Sequence, residues 1–544
     1  MSLQSGSNKM GSLSTELDHW TAGPNLYPKR KPVPPAQRGI AAPCSTEQFK
    51  TKSYKHKPLA KRWHPYMSTE SASRTGSSLK ASMKHLQNPN VISLGGGTPL
   101  SDFIPFDEVV IRPPSLENLK TEKKRNSTSI TTLHATKHDI ADGTSIYDLS
   151  VALNYGQGYG SAQFMRWITE HTEIFHDPPY SDWQCSLTIG NTSAFDMCLR
   201  MLTEPGDCVL ADKYTFSTAI ETALPLGINF VGVDMDREGM LPGSLDEVLE
   251  NWDPEAHKKA RKPSVLYAIP TGQNPTGTTQ SIERRKEIYK IAQRHDLIIL
   301  EDDPYYFLQM DPYGSSSTED GPATAEIRSS ADFLKRLIPS YLSLDVDGRV
   351  IRMDSFSKVI SPGARLGWVT ASAQLIERYK YHTDVSTQSP AGLSQLAIFK
   401  LVDEHWGHAG YTEWLMHLRS EYTKRRDFII SACERYLPTK IVRWEPTEAG
   451  MFQWLKVDWK QHPDAKTKSV NALEEEIWLE SISTGALVGR GSWFRASADV
   501  AYDEVFYRTT FAAAPLSKIE EAVKRFGEAI KKAFKVEPER KEES

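Results

Sequence analysis

Cysteine is scarce in this sequence and widely scattered. The 544 residues include five cysteines, an odd number without a Cys-x-x-Cys pair, so neither a disulfide framework nor a zinc site is expected. Apolar runs near the ~20 residues of a membrane-spanning helix are also lacking, as is the apolar core of a signal peptide. We therefore expect a cytoplasmic protein, with a mitochondrial address in the basic segment 29–62 as the second choice.

The chain also lacks an excess of charge of either sign. Its 65 Lys and Arg residues nearly balance 69 Asp and Glu residues, so no global attraction to nucleic acid or to a membrane surface is expected. Hydrophobic residues at 39% and charged residues at 25% are typical of a folded globular protein. Small-molecule chemistry is therefore favoured, and no metal site is predicted.

Composition and periodicity divide the chain into three parts. Residues 1–88 are polar and rich in Pro, Ser and Lys, which predicts an N-terminal arm that is partly disordered or packed on a partner subunit. Apolar strand patterns alternate with helical patterns over 159–384, which is typical of a doubly wound, mostly parallel sheet. The predicted fold is α/β, with a smaller α+β domain built from 89–158 and 385–544.

A lysine follows a predicted strand within the run 354–368, which reads D-S-F-S-K-V-I-S-P-G-A-R-L-G-W. A single loop lysine is ordinarily a solvated surface charge. Here Ser355, Ser357 and Arg365 supply the hydroxyls and the fixed cation that an anionic cofactor needs. A partly desolvated lysine has a lowered pKa and can form an imine. The pattern predicts that Lys358 binds a cofactor, with an ordinary polar turn as the alternative.

Two other strand ends carry polar side chains. Asp302 follows the apolar run 297–300, where ligands bind in parallel sheets, and its carboxylate can pair with a pyridine nitrogen. Tyr305, and Asn274 in a loop rich in Gly and Pro, can both reach a phenolic oxygen of the same ligand. Two alternative interpretations stay open. The acidic residues 301–303 could form an acidic turn or a divalent-metal site, and the loop around Asn274 could be an ordinary turn.

A third strand end opens a helix at Asn191 and Thr192. The free N–H groups at the start of a helix form an anion site, so a phosphate can rest there. Simple capping of the helix by either residue is the alternative.

Together, the motifs 274–277 (N-P-T-G), 301–306 (E-D-D-P-Y-Y) and 355–358 (S-F-S-K) resemble those of the fold-type I, class I aminotransferases. Within that family they are most similar to fungal aromatic amino acid aminotransferases and their animal relatives that act on kynurenine and 2-aminoadipate. The resemblance covers about 91 to 530. It implies pyridoxal 5′-phosphate bound to Lys358 as a Schiff base. It also implies ping-pong transfer of an amino group from an aromatic L-amino acid to 2-oxoglutarate.

The resemblance assigns a role to each further site residue. Arg508 grips the substrate carboxylate, the backbone of Gly97 lines the substrate pocket, and Tyr155 crosses to the other subunit's phosphate, which implies a homodimer with shared active sites. The cofactor ring stacks on Phe216, with Tyr214 as the alternative. The catalytic residues are Lys358, Asp302 and Tyr305; the phosphate is held by Asn191, Thr192, Ser355, Ser357 and Arg365, and the phenolic oxygen by Asn274 and Tyr305.

Other functions stay open at this point. A preference for 2-aminoadipate or kynurenine is one alternative, and a pyridoxal-phosphate-dependent lyase or decarboxylase is another, because cofactor motifs do not decide which bond breaks. A ligand-sensing regulator on the same fold would carry a DNA-binding winged helix, and 1–88 is too rich in Pro for one. Long segments at 113–145 and 311–345 depart from the simplest family members and leave the site entrance undefined.

Overall fold

The computed structural model describes residues 26–27, 29–88, 90–114, 116, 131–314, 329–497, 500–501 and 503–536, so the long segments predicted at 113–145 and 311–345 lie partly outside it. The strands are β1 Glu108–Ile111, β2 Leu133–Thr136, β3 Trp183–Thr188, β4 Cys208–Asp212, β5 Asn229–Val233, β6 Met235–Asp236, β7 Gly239–Met240, β8 Val265–Ala268, β9 Ile298–Asp302, β10 Val350–Ser355, β11 Gly367–Ser372, β12 Val442–Arg443, β13 Phe452–Val457, β14 Gly489–Arg490 and β15 Val505–Thr510.

Helices connect these strands and cover both faces of the main sheet. None of the helices in the described part of the chain is long and apolar enough to cross a membrane. The α-helices are Thr46–Phe49, Thr69–Ser73, Ser78–Ser82, Leu149–Ala152, Ala162–Phe175, Asn191–Leu202, Ser217–Ala223, Pro242–Glu250, Ile282–Arg294, Ser330–Arg336, Tyr341–Leu344, Ala373–Thr383, Gly392–Phe399, Gly407–Tyr436, Val470–Ser483 and Leu516–Ala533.

The main sheet has seven strands in the order β3-β11-β10-β9-β8-β4-β5. Pairing is parallel from β10 through to β5, and β11 runs antiparallel to both of its neighbours. Most of its strands are buried along their whole length, which explains why their sequences read as continuous apolar runs. The predicted α/β class with a mostly parallel sheet is confirmed.

A second sheet has four antiparallel strands in the order β12-β13-β15-β14. It packs on the helices Val470–Ser483 and Leu516–Ala533 and on the C-terminal half of the helix Gly407–Tyr436. Side chains from these elements, such as Ile477, Val523 and Ile430, form a core that is separate from the cores of the main sheet. This unit corresponds to the smaller α+β domain.

The limits predicted for the smaller domain differ from the observed packing. Ala135, Tyr147 and Leu149 belong to the core around the main sheet, and Phe399 packs there against Tyr147 with ring centroids 5.6 Å apart. Residues 133–158 and the chain from 392 to about 415 are therefore part of the large domain. The reason is that the helix Gly392–Phe399 packs on the helices Leu149–Ala152 and Ala162–Phe175. These helices are far apart in the sequence, so sequence patterns did not reveal the contact.

The N-terminal arm also differs from its prediction. Phe49 and Trp63 are fully buried, and the backbone N–H of Ala60 donates to Asp182 at 2.7 Å. Thr51 donates through its backbone N–H to Glu173 at 2.9 Å. From 29 to 73 the arm therefore wraps the large domain of its own chain, while 1–25 lie outside the described residues.

Candidate active site

The predicted site residues converge on one edge of the main sheet. Asp302 is the last residue of β9 and Ser355 the last of β10, and these strands are adjacent and parallel. Asn274 follows β8, which pairs with β9 on the other side. Because the carboxyl ends of parallel strands share one edge, loops far apart in sequence deliver their polar side chains to one place.

Asp302 is held between two hydrogen-bond donors. The Asn191 Nδ2 atom donates to its Oδ1 at 2.7 Å, and the Tyr267 hydroxyl donates to its Oδ2 at 2.7 Å. Burial raises the pKa of Asp302, whereas both hydrogen bonds act to lower it. The carboxylate is thus fixed in orientation and largely removed from water, as a partner for a buried cation must be.

The side chain of Asn191 has a different place from the one predicted. Its amide also donates to the backbone oxygen of Met353 at 2.9 Å, so the side chain turns toward the sheet and Asp302 and away from an anion site. Asn191 and Thr192 are the first two residues of their helix, and Thr192 is exposed. The backbone N–H groups of this turn are left for an anion, and the predicted contact of the Thr192 hydroxyl with a phosphate stays a prediction.

Arg365 lies against this helix start. Its Nη1 atom donates to the Ser357 hydroxyl at 3.3 Å, and the Ser355 hydroxyl donates to that of Ser357 at 2.8 Å. Gly190 has a φ of +101°, and a Cβ atom there would lie 2.2 Å from Arg365 Nη2, so only glycine lets the guanidinium approach. A cation, two hydroxyls and free backbone N–H groups together form a cradle for a doubly charged anion such as phosphate.

Lys358 stands half-buried between charged groups of both signs. Burial lowers the pKa of its amine, and the neighbouring Arg365 and Arg508 lower it further, while Asp302 acts in the opposite direction. A lower pKa leaves more of the amine unprotonated near neutral pH, which is the form that attacks a carbonyl carbon.

Arg508 reaches the site from β15 of the small domain. Its guanidinium lies 4.5 Å from the ring centroid of Phe452 and 4.7 Å from that of Phe494, and its Nη1 donates to Asn274 Oδ1 at 2.7 Å. Because Asn274 accepts through Oδ1, its Nδ2 is the atom that is left to donate to a ligand. Arg508 therefore presents a fork for a carboxylate next to the large-domain edge.

Tyr305 is buried beside the same groups. Its ring meets Phe452 edge-on with centroids 5.9 Å apart, and burial followed by the charge of Asp302 raises the pKa of its hydroxyl. The positive charge of Arg508 opposes that shift. The hydroxyl thus stays protonated at neutral pH and is a donor to an anionic oxygen.

The two aromatic candidates before the helix Ser217–Ala223 have different surroundings. Tyr214 is buried, with its ring 5.2 Å from Phe506 and 5.6 Å from Trp454, so it packs into the small domain. Phe216 is only partly buried and precedes the helix directly. Phe216 is therefore the more exposed of the two rings.

Two predicted residues are not brought to this edge in the single chain. Gly97 is exposed, with no atom within 4 Å of a Cβ built on it, and Tyr155 is 57% exposed. Both lie in the stretch 91–155, where large apolar side chains are also exposed. Their roles stay predictions.

Sequence reasoning missed Tyr267 and a buried arginine, Arg352. Tyr267 lies on β8, and its hydroxyl holds the Asp302 carboxylate. Arg352 contacts three carboxylates, those of Glu301 on β9, of Asp303 directly after β9 and of Asp354 on β10. The available signal was a polar side chain inside an otherwise apolar strand, which demands a buried partner.

A half-buried lysine between an anion cradle and a fixed carboxylate, on a doubly wound sheet, is an arrangement suited to an enzyme with an anionic cofactor. The family profile described as "Aminotransferase class I and II" matches residues 118–526. The chain belongs to this family, and the prediction of a pyridoxal-phosphate-dependent transaminase is confirmed at that level.

Individual relatives agree with this assignment. An aromatic amino acid aminotransferase of Schizosaccharomyces pombe is 44% identical over 474 residues, covering 86% of this chain and 98% of the relative. An L-tyrosine:2-oxoglutarate aminotransferase of Tapinella panuoides is 38% identical over 404 residues, 73% of this chain and 74% of its own. The crystal structure of aminotransferase Aro8 from Candida albicans superimposes with a TM-score of 0.81 at 39% identity, covering 88% and 100% of the two chains.

Proposed function

We propose that this enzyme transfers the α-amino group of an aromatic L-amino acid to 2-oxoglutarate, with pyridoxal 5′-phosphate carried on Lys358. The observation that carries the proposal is the position of the Lys358 amine. It lies close enough to Arg365, Asp302 and Arg508 for the charge of each to shift its pKa. The substrates are proposed from the names of the relatives in Schizosaccharomyces pombe and Tapinella panuoides.

The residues at the sheet edge fit this cofactor at each of its polar groups. Arg365, Ser355, Ser357 and the backbone after Gly190 would hold the phosphate. Asp302 would pair with the pyridine nitrogen, Asn274 Nδ2 and the Tyr305 hydroxyl would donate to the phenolic oxygen, and Phe216 would stack on the ring. Two observations support the fit. A Cβ atom at Gly190 would collide with Arg365 in the phosphate cradle, and the buried Asp302 carboxylate accepts two hydrogen bonds. When bound, the cofactor supplies an electron sink for negative charge at the substrate Cα.

The chain's own groups then have distinct tasks. Arg508 binds the substrate carboxylate and orients the amino acid, since a guanidinium fork fixes a carboxylate in one plane. The Lys358 amine would take the proton from the substrate Cα as general base and, once protonated, would deliver it as general acid to the cofactor carbon that carries the nitrogen. Burial of Tyr305 and Asn274 keeps water away from their hydrogen bonds, which strengthens both.

An aromatic side chain is the substrate class that the surroundings of Arg508 favour. The rings of Phe452 and Phe494 both lie close to its guanidinium, and Tyr305 packs on Phe452. Rings beside the carboxylate site offer edge-on and stacked contacts to a substrate ring.

Initial rates with Phe, Tyr, Trp, kynurenine and 2-aminoadipate as donors and 2-oxoglutarate as acceptor test this function. We expect the aromatic donors to give the highest kcat/KM, and formation of glutamate in equal amount to the new oxo acid. A strong preference for Asp or Ala would refute the substrate class. Release of CO₂ or an elimination product without any oxo acid would refute amino-group transfer altogether.

We further propose that the enzyme is a homodimer and that it is cytoplasmic. The dimer is supported by an exposed apolar stretch that includes Ile92, Leu94 and Phe103 at 87%, 97% and 82% exposure, beside Tyr155. Single apolar side chains are common on surfaces, but a contiguous series of this kind is typical of a subunit interface. Light scattering that gives a monomer mass at micromolar concentration would refute the dimer.

A further inference from the structure

A buried arginine, Arg352, lies near the cofactor edge of the main sheet. Arg352 on β10 has a fully buried side chain. Its Nη1 atom lies 2.9 Å from Glu301 Oε1 and 3.1 Å from Asp303 Oδ2, and its Nη2 atom donates to Asp354 Oδ1 at 2.9 Å. The guanidinium also lies 4.6 Å from the ring centroid of Tyr306.

Strand register explains why these charges meet. Arg352 pairs with Glu301 across the parallel β9 and β10 strands. Side chains two residues apart on a strand share a face, so Asp303 and Asp354 join them, while Asp302 points to the opposite face. The charge cluster and the cofactor site therefore lie on opposite faces of the same sheet edge.

The cluster connects the three loops that carry the site. Asp303 immediately follows Asp302 and accepts from the Thr271 hydroxyl at 3.1 Å, and Thr271 begins the loop that leads to Asn274. Asp354 is four residues before Lys358. Through hydrogen bonds to these carboxylates, Arg352 is thus connected to the chain segments that carry Asn274, Asp302 and Lys358.

The balance of charge makes Arg352 necessary for this arrangement. Three buried carboxylates surround it, and one oxygen of Asp303 has no hydrogen-bond partner among the described residues. Burial raises the pKa of Asp354 to about 6 and also raises that of Glu301, with the arginine opposing both shifts. Without the guanidinium the carboxylates would repel each other or take up protons, and the strand ends would separate.

We propose that Arg352 is a positioning residue that fixes the relative placement of the loops carrying Asn274, Asp302 and Lys358. It acts through Asp303, Asp354 and Glu301 from the far face of the sheet and is not among the groups that would touch the cofactor. This inference rests on the proposed function, because its consequence is the geometry of the cofactor linkage.

The test compares Arg352 on β10 with Arg349, which directly precedes that strand, in the cofactor-loaded enzyme. Arg352→Lys keeps one charge but loses the fork that spans three carboxylates. Arg349→Lys is the matched control, since Arg349 is also buried but donates to Asp347 and to the backbone oxygen of Leu297, at the end of β10 away from the cofactor edge. The readouts are the pKa of the Lys358–cofactor linkage from its visible absorbance, kcat, KM and the thermal midpoint.

For Arg352→Lys we expect the linkage pKa to rise, because the donors to the phenolic oxygen lose their alignment. We expect kcat to fall about 10- to 100-fold, as for a misplacement of about 1 Å, with KM changed much less. Arg349→Lys should lower the thermal midpoint and leave the linkage pKa and kcat at their natural values. Equal spectral changes in both variants, or none in either, would overturn the proposal.

Asp354→Asn decides the outcome if Arg352→Lys does not fold. This substitution keeps the shape of the side chain and leaves Arg352 bound to Glu301 and Asp303. A rise in the linkage pKa in the same direction, but smaller, supports the proposal, and an unchanged linkage pKa overturns it. Failure of the proposed function is distinguishable, because it is judged on the natural protein, which would then show no lysine-linked absorbance or would form no oxo acid in the rate assay.

Discussion

The two sheets present their functional groups in different ways. At the edge of the seven-stranded sheet, Asp302 is held by Asn191 and Tyr267, so the groups keep each other in place. On the four-stranded sheet, Arg508 contacts the rings of Phe452 and Phe494 and donates to Asn274 across the domain boundary. The edge of the seven-stranded sheet thus offers preorganised groups for the cofactor, and the four-stranded sheet of the small domain supplies the group that would bind the substrate.

This difference predicts a division of effects. Changes at the large-sheet edge should alter cofactor binding and chemistry, whereas changes at Arg508 should alter the affinity for the amino acid. If a variant at the large-sheet edge changed only substrate affinity, or a variant at Arg508 changed cofactor binding, the two sheets would act as one unit.

The largest effect is expected for Lys358→Ala, which removes the covalent attachment point and the proton carrier together. Turnover should fall by about 10⁴-fold, the upper range for general acid–base catalysis, and the lysine-linked absorbance should disappear. Non-covalent cofactor binding should persist through the cradle around Arg365. Lys335→Ala, on the exposed face of the helix Ser330–Arg336, is the control. Normal transamination by Lys358→Ala would end the proposed mechanism.

A smaller effect, confined to the substrate, is expected for Arg508→Lys. Loss of the fork costs about 2–3 kcal/mol, so KM for the amino acid should rise about 30- to 200-fold. The absorbance of the bound cofactor should stay unchanged. Arg490→Lys is the control, because Arg490 lies on the neighbouring β14 strand and pairs with Glu474. An altered cofactor spectrum in Arg508→Lys would contradict the division between the sheets.

Tyr267→Phe should have a moderate effect on the large-sheet layer alone. It removes one donor to Asp302, and a hydrogen bond to a charged group contributes about 1.5–3 kcal/mol. We expect cofactor affinity to fall about tenfold, at the lower end of that range because Asn191 still donates to the carboxylate. Tyr289→Phe is the control, since its hydroxyl bonds to Asp345 and Asp347 elsewhere. Unchanged cofactor affinity measured by equilibrium dialysis would count against the role of Tyr267.

The smallest effect on catalysis is expected for Asp212→Asn, at the end of β4. One carboxylate oxygen of Asp212 has no hydrogen-bond partner among the described residues, and burial raises its pKa from 3.8 to about 7. Between these values the folded state holds a proton that the unfolded state releases, so the natural protein loses stability as pH rises from about 4 to 7. Asparagine removes this dependence.

The Asp212→Asn variant should therefore gain stability relative to the natural protein as pH increases. At pH 8 we expect a gain on the order of 1 kcal/mol, seen as a higher thermal midpoint, and a smaller gain at pH 5. kcat should not change. A stability difference that is the same at both pH values would show that Asp212 is ionised throughout.

Much of the large domain followed from its strand and loop patterns. The apolar run predicted at 297–300 corresponds to β9, although β9 extends through Asp302 because that residue still pairs with Met353 of β10. Long apolar runs predict buried parallel strands because both faces of such a sheet are covered. The polar residue at the end of each run then marks the ligand edge.

The site residues that sequence reasoning misplaced depend on neighbours that are distant in the chain. The side chain of Asn191 turns to Asp302 because their strand and helix ends adjoin, and 111 residues separate them. The same holds for the segment at 133–158, whose packing partners lie near 399.

The sequence by itself determined the chemistry, because the order of residues around Lys358, Asp302 and Asn274 is local and each motif follows a strand. Only the tertiary structure decided which groups act on which. The register of β9 against β10 joins Arg352 to its three carboxylates, and the contact between domains joins Arg508 to Asn274. These pairings are set by packing between distant segments, which no local pattern in a single sequence encodes.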